Sequence, residues 1–258
     1  LHYPLRRQRQ MCIRDRYSMN KLTIIVTYYN AEEYITGCLE SIKQQRTQDF
    51  NLIIVNDGST DQSKKLMDEA IKDYDKNIRF IDLDENSGHA HARNIALEEV
   101  ETPYFMFLDA DDELASYAIT FYLEKFNNTD GLIAPIHSFT TQRPQFVDLD
   151  RVRVEYFNAK GNINSFLRKQ SACNIIFRTA IVKAHHIRFN ENLNTYVDWS
   201  FVLEYMKYVN KFVRIFNFPF YFRGEVYDPF ETLTLSEQNF DVLFKDYVNS
   251  FYLSLIHI

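Results

Sequence analysis

The chain has 258 residues, 46% of them hydrophobic and 16% aromatic, and a formal net charge of −6 at pH 7. This supports one sizeable domain with a core rich in Phe and Tyr, and the acidic balance excludes a general nucleic-acid binder. Three cysteines are too few for a disulfide framework, and no stretch approaches the roughly 20 apolar residues of a membrane span, so a cytoplasmic product is expected.

The ends read differently from the rest. Gln10-Met11-Cys12-Ile13-Arg14-Asp15-Arg16 is one reading frame of CAG ATG TGT ATA AGA GAC AG, and Leu253–Ile258 is a frame of CTG TCT CTT ATA CAC ATC. The two strings are reverse complements over most of their length and resemble a transposase end used in preparing sequencing libraries. Residues 1–18 and 253–258 are therefore read as translated adapter and left out of the fold. Met19 is then the expected start, with the natural protein continuing past Tyr252. The first 18 residues carry five arginines against Asp15, a local +4, which leaves −10 on the rest. Cys38 and Cys173 remain as buried structural thiols.

From Leu22 the chain alternates strand and helix signals. Leu22–Tyr28 is a β-branched strand, and Asn30-Ala31-Glu32-Glu33 fits a capping box with Asn30 as cap, ahead of a helix striped by Ile35, Leu39 and Ile42. Leu52–Val55 is a second strand, ending in the turn Asn56-Asp57-Gly58-Ser59. A helix follows from Asp61 to Tyr74, then a strand at Ile78–Leu83, a helix opened by Gly88, and a fourth strand at Tyr104–Leu108. This alternation implies an α/β fold with a mostly parallel central sheet covered by helices on both faces. In such sheets ligands bind at the carboxyl ends of the strands. There lie Thr27-Tyr28-Tyr29-Asn30, Asn56-Asp57, Asn86-Ser87-Gly88 and Asp109–Asp112. Beyond 116 the pattern is less regular. Strands are expected at Gly131–Phe139 and Asn174–Phe177, and an amphipathic helix at Val197–Val209. An aromatic strand or hairpin interrupted by Pro219 is expected at Phe212–Phe222, and a last helix at Ser236–Phe251.

The fourth strand runs from five apolar residues directly into Asp109-Ala110-Asp111-Asp112. Side chains alternate along a strand, so Asp109 and Asp111 point to one side. Paired carboxylates repel unless a cation sits between them, and hard oxygens suit Mg²⁺ or Mn²⁺ bridging to a substrate phosphate. Alone, the same acids read as caps of a following helix.

In order and spacing, these four clusters resemble family 2 glycosyltransferases of the GT-A fold, with the nearest likeness to wall teichoic acid glycosyltransferases. The resemblance covers about residues 22–112 and, more loosely, 172–206. It implies a Rossmann-like sheet with a smaller acceptor-side subregion, nucleotide-binding over 19–115 and acceptor-binding over 116–222. A helical extension over 223–252 would follow. It implies inverting transfer of a sugar from a UDP-sugar donor, with Mn²⁺ or Mg²⁺, to a polysaccharide, teichoic acid or lipid-linked glycan at the inner face of the membrane. Asp57 falls where the family's aspartate reads uracil, although alone it is equally an Asx-turn. Thr27 and Tyr29 would flank the base, Thr27 standing where proline is common. Asn86 and Arg93 match positions near the donor, and Arg93 would donate to phosphate or base. Asp109 would hold the ribose hydroxyls or share the metal, and Asp111 would bind it; Asp112 is expected to cap the next helix. His89 and His91 diverge on a helix and are given surface roles. The family's general base matches Asp198 in Tyr196-Val197-Asp198-Trp199-Ser200, a position where a carboxylate also favours a helix start. Trp199 could stack on a sugar or join the core.

Two other classes compete. Sugar-phosphate nucleotidyl transfer would want a Gly-rich phosphate loop after the first strand, which Tyr28-Tyr29-Asn30-Ala31-Glu32 lacks. A degenerate sugar-nucleotide-binding or scaffolding domain of a larger synthase would lose its metal or base carboxylates, whereas Asp109, Asp111 and Asp198 are all present.

Overall fold

The computed structural model describes residues 20–74, 76, 78–125, 129–138, 151–158, 171–193, 196–216 and 220–224. Both tails, Phe139, Pro219 and the expected helix over 236–251 lie outside these residues. The first half follows the alternation read from the sequence. Strands β1 (Leu22–Tyr28), β2 (Phe50–Asn56), β3 (Ile78–Asp82) and β4 (Tyr104–Asp109) are interleaved with α1 (Ile35–Lys43), α2 (Ser63–Ile71) and α3 (His89–Glu98). There follow β5 (Glu113–Leu114), α4 (Ala118–Lys125), β6 (Gly131–Ile133), β7 (Ile136–Ser138) and β8 (Arg153–Asn158). A short 3₁₀ turn (Ala172–Asn174) leads into β9 (Ile175–Arg178). The rest is α5 (Thr179–Ala184), α6 (Val197–Met206), β10 (Lys211–Phe216) and β11 (Tyr221–Arg223).

Eight strands form one sheet in the order β3-β2-β1-β4-β9-β6-β10-β8. β1, β2, β3 and β4 run parallel, β9 runs antiparallel to both β4 and β6, and β8 pairs antiparallel with β10. Nearly every residue of β1, β2 and β4 is buried. Such continuous burial requires cover on both faces, and it is why these strands read as unbroken apolar runs rather than alternating ones. The register pairs Thr27 with Val55 and Asp109, so the three strand ends finish level.

Four details differ from the sequence reading. Helix α1 starts at Ile35, and Asn30 is not its cap: with φ +48, Asn30 accepts from the Thr60 amide through Oδ1 and donates its own amide to Ser59 Oγ. Its polar side chain serves a neighbouring loop instead of its own helix. The expected strand over 131–139 is two strands in two sheets, broken at Ala134-Pro135, because proline cannot donate to a ladder. The aromatic stretch over 212–222 is not a hairpin: β10 lies in the large sheet, while β11 joins a three-stranded sheet ordered β5-β11-β7. Helix α6 ends at Met206 and is buried on most sides rather than amphipathic.

The core joins both halves through aromatic rings. Phe177 of β9 stacks on Phe105 of β4 at 5.3 Å, and Phe201 of α6 stacks on Phe189 at 4.1 Å. Phe201 also meets Phe177 edge-on at 5.3 Å, which fixes α6 against the sheet. Further along, Asp130 joins β10 to its neighbours. Its Oδ2 accepts the amides of Asn210 (2.9 Å) and Lys211 (3.0 Å), and its Oδ1 accepts from Arg178 (2.9 Å). Burial alone would raise the Asp130 carboxyl, but these donors outweigh it and hold it below the usual range. A depressed folded pKa contributes stability that is present above the unfolded value of about 3.9 and is lost as pH falls through the folded one. Asp130→Asn is therefore expected to cost about 2 kcal/mol at pH 7. In urea denaturation, its deficit against the parent should shrink as pH falls below about 4.

Candidate active site

The loops after β1, β2 and β3 are stapled to one another at the carboxyl edge. The Asp57 amide donates to the Tyr28 carbonyl (2.9 Å), and Asp57 Oδ1 accepts the Ser87 amide (2.9 Å). Asn56 Nδ2 donates to Asp82 (2.7 Å). Ala31 and Glu32 donate their amides to Ser63 and Asp61, which extends the clasp made by Asn30. Gly58 makes the close approach possible. At φ +67, a Cβ there would lie 2.4 Å from the Glu85 carbonyl carbon, so only glycine lets the loops touch. Asp57 is buried within this junction, whereas Tyr29 is exposed and Thr27 half-buried beside Asp109. Asn86 is exposed and accepts from the Gly88 amide (3.0 Å), closing the turn into α3. His89 is exposed at the start of α3, and His91 pairs with Glu191 at 3.1 Å.

Arg93, expected near the donor, lies against Asp109, which was expected there too. It is neither on the surface nor aimed at open solvent: its side chain is 4% exposed and lies between two carboxylates. Nη2 donates to Asp109 Oδ1 at 2.6 Å, and Nη1 donates to Asp198 Oδ1. The guanidinium sits 5.3 Å from the ring centres of both Phe107 and Phe189. The aromatic faces supply cation–π attraction, and the carboxylates offset the cost of burying the charge.

The sequence therefore brings Asp109 and Asp198 to one guanidinium, although they lie in different halves of the chain. Asp198 Oδ2 also accepts from Ser171 Oγ (3.1 Å) and the Ala172 amide (2.9 Å). Burial would push the Asp198 carboxyl up, but Arg93 and the Ala172 N–H more than offset this and hold it below the usual range. Trp199 is buried, with its ring centre 6.1 Å from that of Tyr196.

The acidic motif forms a tight cluster. One oxygen from each of Asp109, Asp111 and Asp112 lies within 4.8 Å of the others. Asp112 is not a helix cap, because a strand follows it and not a helix. It is buried, its carboxylate accepting from Tyr221 Oη and from the Gly224 amide (2.8 Å). Burial pushes the Asp112 carboxyl up to about 7, with the Asp109 charge adding to the rise. Three hard oxygens are the donor set that Mg²⁺ or Mn²⁺ takes, so the cluster fits such an ion. Both remaining cysteines are buried and free, and both sulfurs lie against Asp109. Cys173 donates to its carboxylate (3.1 Å), and Cys38 to its carbonyl oxygen (3.6 Å). The sequence reading missed Ser171, Ala172, Cys173, Tyr221 and Gly224. They belong to no motif, and only folding brings them to Asp109, Asp112 and Asp198.

The description "Glycosyl transferase family 2" matches residues 23–186. A teichoic acid poly(glycerol phosphate) polymerase of Staphylococcus epidermidis is 99% identical over 234 residues. The match covers 91% of this chain and 32% of that protein, so the chain spans about a third of its length. TarS 1–349 of S. aureus, solved with UDP, superposes with a TM-score of 0.65 at 26% identity, over 78% of this chain and 60% of that one. It was also solved with UDP-GlcNAc, with a TM-score of 0.65 at 25% identity over 78% and 58%. The mannosyltransferase PcManGT of Pyrobaculum calidifontis, in complex with GDP-Man and Mn²⁺, shares the fold at 15% identity, with a TM-score of 0.60 over 83% and 59%. Among the described residues no helix is long and apolar enough to cross a membrane. With the family description spanning 23–186 and the same fold in TarS, this chain belongs to glycosyl transferase family 2 and has the GT-A fold.

Proposed function

We propose that the chain moves a sugar from a UDP-sugar to a hydroxyl of a teichoic-acid-like polymer, with inversion, on the cytoplasmic side of the membrane. The observation that carries this reading is the Arg93 bridge, which sets the acidic donor-side cluster and Asp198 at one place. Asp57 reads the uracil edge, with Thr27, Tyr29 and Asn86 around the nucleotide. Asp109 and Asp111 hold a divalent cation, and Asp112 is near enough to share it. When bound, that cation supplies positive charge to the leaving diphosphate. Asp198 takes the proton of the acceptor hydroxyl as its oxygen bonds to the anomeric carbon, while the sugar–phosphate bond breaks and its electron pair leaves with UDP. Such base catalysis is worth about 10²–10⁴-fold. Arg93 orients both carboxylates through its two Nη atoms.

The names of the relatives support the substrate classes. TarS was solved with UDP and with UDP-GlcNAc, and the S. epidermidis relative is described as a poly(glycerol phosphate) polymerase. Since this chain spans about a third of that polymerase, we read it as the part that adds sugar to a polymer extended by the remainder. The matched stretch of 234 residues equals the span 19–252, which supports setting both tails aside. We read the transferase unit as 19–222, with 223–252 leading onward.

A second reading, nucleotide-sugar binding without transfer, is favoured by one observation: Asp198 already accepts from Arg93, Ser171 and Ala172. Turnover separates the two. UDP release should be followed across a panel of nucleotide sugars, with poly(glycerol phosphate) as acceptor, with Mn²⁺ and with chelator. Transfer predicts Mn²⁺-dependent release from one UDP-sugar; UDP binding with no release from any of them supports the second reading. Asp111→Ala should abolish the Mn²⁺-dependent release. Asp198→Asn should keep UDP binding within about twofold and lower turnover at least about 100-fold. Unchanged turnover in that variant removes Asp198 as the base.

A further inference from the structure

Arg93 is half of a closed ring. Its two Nη atoms hold the Oδ1 atoms of Asp198 and Asp109. The turn Ser171-Ala172-Cys173 holds the two Oδ2 atoms: Ser171 Oγ and the Ala172 amide on Asp198, and Cys173 Sγ on Asp109. Cys173 Sγ also accepts from Arg93 Nη2 at 3.5 Å, and Ser171 Oγ accepts the Cys173 amide at 3.2 Å, so the turn is braced internally. One guanidinium and one three-residue turn thus hold both carboxylates, the guanidinium through their Oδ1 atoms and the turn through their Oδ2 atoms.

We propose that Ser171 and Cys173 are positioning residues of the transfer reaction, fixing Asp198 and Asp109 relative to each other, and that Asp198 accepts the acceptor's proton on Oδ1. This rests on the reading of Asp198 as the base. A carboxylate offers about four lone-pair sites. Ser171 and Ala172 occupy two on Oδ2, and Arg93 occupies one on Oδ1. The remaining site is on Oδ1. The Asp198 side chain is 24% exposed, so the carboxylate is not sealed from an incoming hydroxyl. Removing the Ser171 hydroxyl frees a lone pair on Oδ2 and lets the carboxylate turn, which misdirects the base without touching the donor. Removing the Cys173 thiol loosens Asp109, which changes cation affinity without touching the base.

The test uses the full chain with UDP-GlcNAc, poly(glycerol phosphate) and Mn²⁺, and calorimetry of UDP binding with and without Mn²⁺. Ser171→Ala should lower kcat about 10-fold to 100-fold, with the KM for UDP-GlcNAc and the Mn²⁺-dependent UDP affinity unchanged. Ser171→Thr should restore kcat. Cys173→Ala should weaken UDP binding about tenfold in Mn²⁺ but not in its absence, and Cys173→Ser should restore it. If Asp198→Asn loses turnover while Ser171→Ala keeps kcat within twofold, the positioning role is wrong and the base assignment stands. If Asp198→Asn turns over normally, the base assignment itself fails. Losses in every readout that Thr or Ser does not rescue would reduce the turn to a structural element and overturn the proposal.

Discussion

The pairing of buried Arg93 with Asp109 and Asp198 is the constraint on which the site depends. Arg93 comes from α3, Asp109 from the end of β4 and Asp198 from the first turn of α6, so one side chain ties three elements from both halves of the chain. Taking a guanidinium out of water costs several kcal/mol, and the cost is offset only where acceptors meet it with good geometry. Here two carboxylates do so, over the faces of Phe107 and Phe189. Those same rings pack on Phe201, one turn along α6 from Asp198. The aromatic core and the ion pairs thus fix the same helix in the same place.

Charge balance explains what the bridge leaves undone. Asp109, Asp111, Asp112 and Asp198 bring four carboxyls close to one buried cation. Arg223, whose charge interacts with Asp112, adds to it from the small sheet. Arg93 is already committed to Asp109 and Asp198, while at Asp112 burial first and the Asp109 charge second push the carboxyl up to about 7. A divalent cation gains most where clustered carboxylates have little countercharge beside them. Tyr221 and Gly224 hold Asp112 in that position, which makes the three-stranded sheet the floor of the acidic cluster.

The parts of this arrangement that the sequence made legible are those set by local chemistry. Strands buried on both faces need continuous apolar runs, so β1, β2 and β4 stood out, and Asp57, Asp109 and Asp111 followed at their ends. The parts that were not legible depend on a partner far along the chain. Asn30 followed by Glu33 reads as a capping box, yet its partner is Thr60, 30 residues on. Arg93 matches a position near the donor, but nothing local shows that Asp198, 105 residues later, is placed against it. The aromatic composition of 212–222 signals burial but cannot say which sheet each strand joins, so β10 and β11 parted company. Ser171 and Cys173 carry no spacing signal, because their partners belong to other elements.

Why an arginine occupies this position follows from the same energetics. A well-packed apolar side chain at 93 would fill the space beside Phe107 and Phe189 without a desolvation cost, and buried ion pairs are weak evidence for stability. It would also leave Asp109 and Asp198 unpaired and free to turn. What the arginine supplies is orientation: two planar Nη donors fix two carboxylates in one frame, which a lysine's point charge does not do. Under the proposed transfer, with Asp198 as the base, the two sides of the site must hold a set relative geometry, and small misplacements are costly to rate. On that proposal the buried charge is a stability cost accepted for alignment, and the turn at 171–173 completes it through the carboxylates' Oδ2 atoms.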